Sequence, residues 1–229
     1  APVEGGPVRC ALGSRPKRGS RMADARLRII NLLGVTIPFL GFIAAIILLW
    51  GIAFNWVYLA LLGAMYVLTG LGITVGYHRY FTHRSFKTSK PVVAVLAILG
   101  SMAVEGPVLE WVAIHRKHHQ HSDDHEDPHS PHTHGAGLRA TIAGMWHAHM
   151  GWMFRPHPRQ LGRYVADLRR DPVVVRMSKL FPLWVLLGLL IPAVLGGVLT
   201  LSWTGVLLGF IWGGLVRILL VHHVTWSVN

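Results

Sequence analysis

Residues 29–78 read IINLLGVTIPFLGFIAAIILLWGIAFNWVYLALLGAMYVLTGLGITVGYH, 50 consecutive positions without an Asp, Glu, Lys or Arg. As one straight helix the run would be about 75 Å long, against a bilayer core of about 30 Å, so it has to cross a membrane twice. The turn between the two crossings falls from Trp50-Gly51 to Asn55. A second uncharged run, Leu180 to Val216, continues to the end of the sequence with Arg217 as its only charge, and T-L-S-W-T-G at 200–205 divides it. Apolar core helices of a soluble protein do not need two runs of this length. The expected fold is an all-α membrane protein whose four transmembrane helices form two hairpins, with a helical histidine-rich region between them.

Charged residues are only 14% of the chain, so where they sit is informative. Lys and Arg crowd ahead of Ile29 (Arg15, Lys17, Arg18, Arg21, Arg26, Arg28), are absent from both short turns, and return between Arg79 and Lys179. The positive-inside asymmetry puts the N-terminus and the histidine region in the cytoplasm. The formal net charge of +12 then belongs to segments lying against anionic lipid headgroups. No basic stripe interleaved with aromatic residues marks a soluble module, which argues against nucleic acid as a partner. The single Cys10 excludes an internal disulfide framework and any cysteine-based metal site. Residues 1–28 read as a basic, disordered N-terminal segment. Within it, residues 1–21, ahead of Met22, lack the apolar stretch of a signal peptide and look like a tail or an extension. Residues 29–229 read as the membrane domain, incomplete at its C-terminus because S-V-N at 227–229 stops inside an apolar helix.

Between the crossings, Pro91 to Val104 is apolar but too short to span, and is expected to lie in the interface or dip into it. Glu105-Gly106-Pro107 ends that stretch, and V-L-E-W-V-A-I leads into I-H-R-K-H-H-Q-H-S at 114–122. Eight histidines fall between His115 and His134. On a helix His115 and His119 lie one turn apart and can share an ion, whereas His118 sits about 60° of arc away and can serve a second one. Upstream, H-R-Y-F-T-H places His78 and His83 at i, i+5, about 140° apart on an ideal helix. Both rings point inward only if the second crossing unwinds at its end. Neutral imidazole suits Fe, Zn, Cu and Ni alike, so ligand type alone leaves the metal open. The remaining loop histidines, His121, His125, His129, His132 and His134, read equally well as solvated side chains or a weak metal buffer. His147 and His149, at i, i+2, face different ways, as do the adjacent His222 and His223.

On these residues the chain resembles the integral-membrane fatty acid desaturases of the acyl-CoA (stearoyl, delta-9) type. The resemblance runs from about Gly70 to Asn229, through G-I-T-V-G-Y-H-R-Y-F-T-H-R-S-F, E-W-V-A-I-H-R-K-H-H-Q-H-S-D, D-P-H-S, H-M-G-W and R-I-L-L-V-H-H-V-T-W-S-V-N. It implies a non-haem centre of two Fe that uses O2 and two electrons to remove two hydrogens from a saturated acyl chain. His78, His83, His115, His118 and His119 match iron-binding positions. Asn229 matches an asparagine that reaches the metal through water. Trp111, Thr225 and Trp226 match residues that line and bend the acyl tunnel. The family's further ligating histidines would lie beyond Asn229, and its animal members carry polar CoA-contacting residues where this chain has Gly106–Leu109 and Val112-Ala113-Ile114. A lipid-linked or carrier-protein-linked acyl group is therefore as compatible with the residues as acyl-CoA.

No flavin, haem or nicotinamide motif is present, so the resemblance implies a separate electron donor, a ferredoxin or cytochrome b5-like protein, whose acidic face would meet the basic cytoplasmic surface. A histidine-box hydroxylase uses the same metal chemistry and differs in its product. A metal transporter with a histidine-rich loop would need ionisable groups mid-membrane, and apart from Arg217 and the terminal histidine pair both apolar runs lack them.

Overall fold

The computed structural model describes residues 18–51, 55–122, 124, 126–155 and 161–228. These residues are helical with connecting turns, and no β-strand occurs among them. Helix α1 covers Arg18–Gly51, so regular structure begins inside the segment read as a basic tail. Helix α2 starts at Trp56, where Asn55 caps it by accepting a hydrogen bond from Val57 N (2.8 Å). It runs to Leu71 and continues without a break as a π-helix over Gly72–Thr82. Then come α3 (Lys90–Met102), α4 (Val108–Gln120), α5 (Leu138–His149), α6 (Pro172–Lys179) and α7 (Phe181–Thr200). Helix α8 (Trp203–Gly209) passes through a second π segment, Phe210–Val216, into α9 (Arg217–Val228).

Among the described residues, four helical stretches are long and apolar enough to cross a membrane: Ala25–Leu48, Trp56–Thr82, Phe181–Thr200 and Trp203–Val228. Their outward faces are large and apolar, as at Ile47, Val194 and Leu199, which suits lipid tails and would be unusual against water. Continuous helix is what a spanning segment requires, because every backbone N–H and C=O finds its partner within the segment.

Packing between the spans depends on small residues. Helix α7 turns into α8 through Leu201, a left-handed C-cap, and Ser202, whose hydroxyl caps Gly205 N (2.9 Å). The two helices then lie so close that a Cβ at Gly196 or Gly209 would strike the backbone of the other. Helix α1 packs chiefly against the second π segment, not α2.

Helix α3 does not lie flat on the bundle. It packs into it, between the first π segment, α6 and α7, burying Val93, Ala97 and Met102. The closest approach is Gly72 to Gly100, where a Cβ on either residue would meet the other helix. That contact seats Tyr77 against α3, with its hydroxyl hydrogen-bonded to Ser101 Oγ (2.9 Å). A fully buried Arg217 satisfies its guanidinium on the carbonyls of Met102, Gly188 and Gly213, tying α3 and α7 to the fourth span. With its donors committed to three carbonyls, it is a structural pin and not a mobile charge on a transport path.

Because Gly72 faces backbone and not a side chain that can rotate away, Gly72→Val is expected to destabilise the fold by about 3 kcal/mol. Thermal unfolding of the detergent-purified protein should show a clearly lower Tm, whereas Gly63→Val, at a position with open space around it, should leave Tm near that of the parent.

Candidate metal centre and acyl pocket

His78 and His83 do not need an unwound helix end. The chain widens instead: from Gly72 the backbone hydrogen bonds run i→i+5, and His83 N donates to His78 O at 3.1 Å. In that register position five returns over position zero, and the two Nε2 atoms come to 3.2 Å. Gly72 and Gly76 allow this by letting the widened turn press against α3.

Helix α4 supplies the facing pair. His115 Nε2 and His119 Nε2 are 3.1 Å apart, one turn from each other. The two elements meet with ring centroids 5.0 Å apart for His78 and His115, and 4.6 Å for His83 and His119. One ring nitrogen from each of His78, His83, His115 and His119 lies within 4.8 Å of the others. His118 stands aside, its ring 5.9 Å from His115 and 5.6 Å from His119. Four of the five expected ligands thus share one focus, and the fifth stands beside it. Asn229, the sixth, lies outside the described residues.

Arg116 locks the two histidine elements together. It donates to Phe81 O (2.6 Å) and Thr82 O (3.2 Å), immediately before His83, and to Tyr164 O (2.7 Å). Its fork also pairs with Asp167, which Arg84 joins at 2.8 Å. These cations outweigh the desolvation of Asp167 and hold its carboxyl well below the usual range. Nothing in H-R-K-H-H marked Arg116 as more than a surface charge, because its partners are backbone carbonyls that no sequence pattern reports.

His118 is oriented from behind. Its Nδ1 donates to Asp127 Oδ1 at 2.9 Å, leaving Nε2 with its lone pair, and the same carboxylate accepts His129 N at 2.9 Å. His129, read as a loop imidazole, is instead buried against Trp152, ring to ring at 4.2 Å, and 5.4 Å from the His118 ring. The loop folds back because D-P-H turns at Asp127, and the burial holds His129 below its usual pKa, at about 4. His132 is exposed and His134 is half-buried beside the buried His147 (5.2 Å); His125 lies outside the described residues. His149 pairs with His223 across α5 and α9 at 2.9 Å.

Removal from water, reinforced by the imidazoles nearby, pulls His115 far below the ordinary histidine pKa and lowers His119 in the same direction. Neutral rings with available lone pairs are the form that binds a metal. The chemistry of this donor set fits iron or another borderline cation.

A cavity of about 200 Å³ opens beside His115. Trp111, Thr225 and Trp226 all line it, and Trp111 stacks on His115 at 4.6 Å and 29°. The wall also carries Glu105, which the sequence reading passed over. Its Oε2 accepts from Trp111 Nε1 at 2.9 Å, and Thr225 lines the same cavity. Burial raises its pKa to about 7 against the pull of the Trp111 donor. The clue was a lone carboxylate placed after 14 uncharged residues, Pro91 to Val104.

A sequence model of the fatty acid desaturase family matches residues 54–229. The chain is 44% identical over 203 residues to a hex-5-enoyl-[acyl-carrier protein] acetylenase of Moorena producens, covering 86% of this chain and 62% of that protein. It is 38% identical over 180 residues to an sn-1 stearoyl-lipid 9-desaturase of Anabaena variabilis (77% and 59%). To a probable acyl-CoA desaturase of Schizosaccharomyces pombe it is 36% identical over 167 residues (72% and 32%). The chain thus spans less than two thirds of the length of each of these curated relatives.

A carboxyl whose folded pKa is raised contributes stability that is fully present below its unfolded value and is lost as pH climbs through the folded one. Glu105 therefore weakens the fold progressively between pH 4.5 and about 7. Glu105→Gln, which keeps an acceptor for Trp111, should gain Tm relative to the parent across that window and hold the gain at pH 8. An equal Tm difference at pH 5 and pH 8, by thermal unfolding in detergent, would contradict this.

Proposed function

The chain belongs to the fatty acid desaturase family, and from that premise we propose that it serves oxygen-dependent desaturation of a long-chain saturated acyl group at a non-haem diiron centre. The observation that carries the reading is the convergence of His78, His83, His115 and His119 beside a cavity lined by Trp111, Thr225 and Trp226. His118 and, through water, Asn229 belong to the proposed ligand set. Bound iron would supply the reduction of O2 and the hydrogen abstraction. The balanced reaction takes two hydrogens from adjacent methylenes, with O2, two electrons and two protons, to give one alkene and two waters.

The chain's own residues do the rest. The first π segment and α4 fix the imidazoles, Arg116 ties the two elements together, and Asp127 keeps the His118 ring from turning. Trp111, stacked on His115, holds one wall so that a methylene is presented beside the ligands. The name of the Anabaena relative supports delta-9 selectivity, and that name and the fission-yeast one together leave lipid-linked and CoA-linked substrates both open. The acetylenase's name favours a second reading of the carrier, an acyl group on acyl-carrier protein.

The family and the four apolar spans support an integral membrane protein. The Lys and Arg distribution supports two hairpins with the histidine region and the N-terminus facing the cytoplasm. There a ferredoxin or cytochrome b5-like donor would reach the centre.

In cells lacking their own desaturase, the whole protein that contains this chain should hold about two irons and yield monounsaturated acyl chains, and His115→Ala should lose both. An alcohol in place of an alkene would make it a hydroxylase, and zinc with unchanged lipids would overturn the reading. Asp127→Asn should cut iron affinity by about 10- to 100-fold, measured by chelator competition. Donor-dependent turnover should fall as ionic strength rises, and indifference to salt would exclude a basic docking face.

A further inference from the structure

Helix α3 ends in a strained turn. Ala103 is buried, Val104 follows with φ 68°, and Gly106 has φ 113° before α4 begins. A glycine accepts such a backbone readily, but a β-branched valine in the left-handed region persists only where its surroundings impose it.

Helix α9 supplies that imposition. Arg217 Nη1 donates to Met102 O. His222 Nε2 lies 2.9 Å from Ala103 O, and since a carbonyl only accepts, this nitrogen carries the proton. Thr225 lines the cavity beside Glu105. Positions 217 and 222 thus grip residues 102 and 103, immediately ahead of the valine. From the other side Tyr77, next to His78, donates to Gly106 O at 3.2 Å. The turn therefore carries Glu105 and its partner Trp111 in a fixed place relative to the imidazoles.

We propose that His222 is a positioning residue that sets which methylene of the acyl chain meets the metal centre, by clamping the Ala103–Glu105 turn against α9. His222 itself lines the cavity, one helical turn from Thr225. Losing its hydrogen bond frees the turn to relax about Val104, which moves Glu105 and the Trp111 wall while leaving the histidine cluster intact. The inference rests on the desaturase reading for its chemical readout but has a physical one of its own.

The test uses the whole protein with His222→Leu, His222→Gln and the double variant His222→Leu/Val104→Gly. Glutamine keeps an N–H for Ala103 O and leucine does not. With iron content unchanged, His222→Leu should raise minor positional isomers of the alkene about tenfold, read by mass spectrometry of derivatised lipids, and His222→Gln should restore the parent position. In detergent His222→Leu should lower Tm, and Val104→Gly, which relieves the strain, should recover much of that loss. If the leucine variant does not accumulate, the double variant carries the product assay. Parent double-bond position in a folded leucine or double variant would overturn the proposal, as would a Tm loss that Val104→Gly leaves untouched. A parent protein that makes no alkene would instead sink the desaturase reading, with the Tm comparison still deciding the clamp.

Discussion

The site depends on one backbone choice, the i→i+5 hydrogen bonding that begins at Gly72 and ends with His83 N on His78 O. In an α-helix these two imidazoles would diverge by more than a quarter turn. In the π register they meet, and the second span brings two imidazoles to one focus while remaining helical. Inside a membrane that economy matters, because an unwound helix end would expose polar groups where no water can satisfy them. Glycines at 72 and 76 make the wide turn possible by admitting α3 at backbone distance, and this contact places Tyr77 and the turn beyond Met102.

Around this register the molecule is held by polar groups that act on backbone more than on each other. Arg116 grips the carbonyls just before His83, and Arg217 grips one at the end of α3 and one within α7. Both convert a charge that is costly to bury into a fixed distance between helices, since each N–H in use has an oxygen opposite it. Of the two, only Arg116 has a carboxylate partner, the half-exposed Asp167. The histidines can remain neutral and available because rigidity is provided by neighbours that are not ligands.

Much of this was legible in the sequence. Fifty uncharged residues from Ile29 and a second run from Leu180 gave the spans, and Asn55 and Thr200–Gly205 marked their turns. The i, i+4 spacing of His115 and His119 gave the shared face, and Trp111 one turn earlier gave the stacked wall. Hidden were the features whose signal is not periodic. The π-helix was invisible because hydrophobic patterning reports which side of a helix is buried and not its hydrogen-bond register. His129 looked solvated because its burial depends on Trp152, 23 positions later. Arg116 and Arg217 bind carbonyls, and every residue has one.

The account rests on the histidine cluster being a metal focus built by the π segment. Iron K-edge X-ray absorption of the purified whole protein tests this most directly. It should show nitrogen and oxygen ligands with imidazole multiple scattering for about two irons per chain, and His83→Ala should reduce the imidazole count. Absence of bound iron, or an iron spectrum unchanged by His83→Ala, would contradict it.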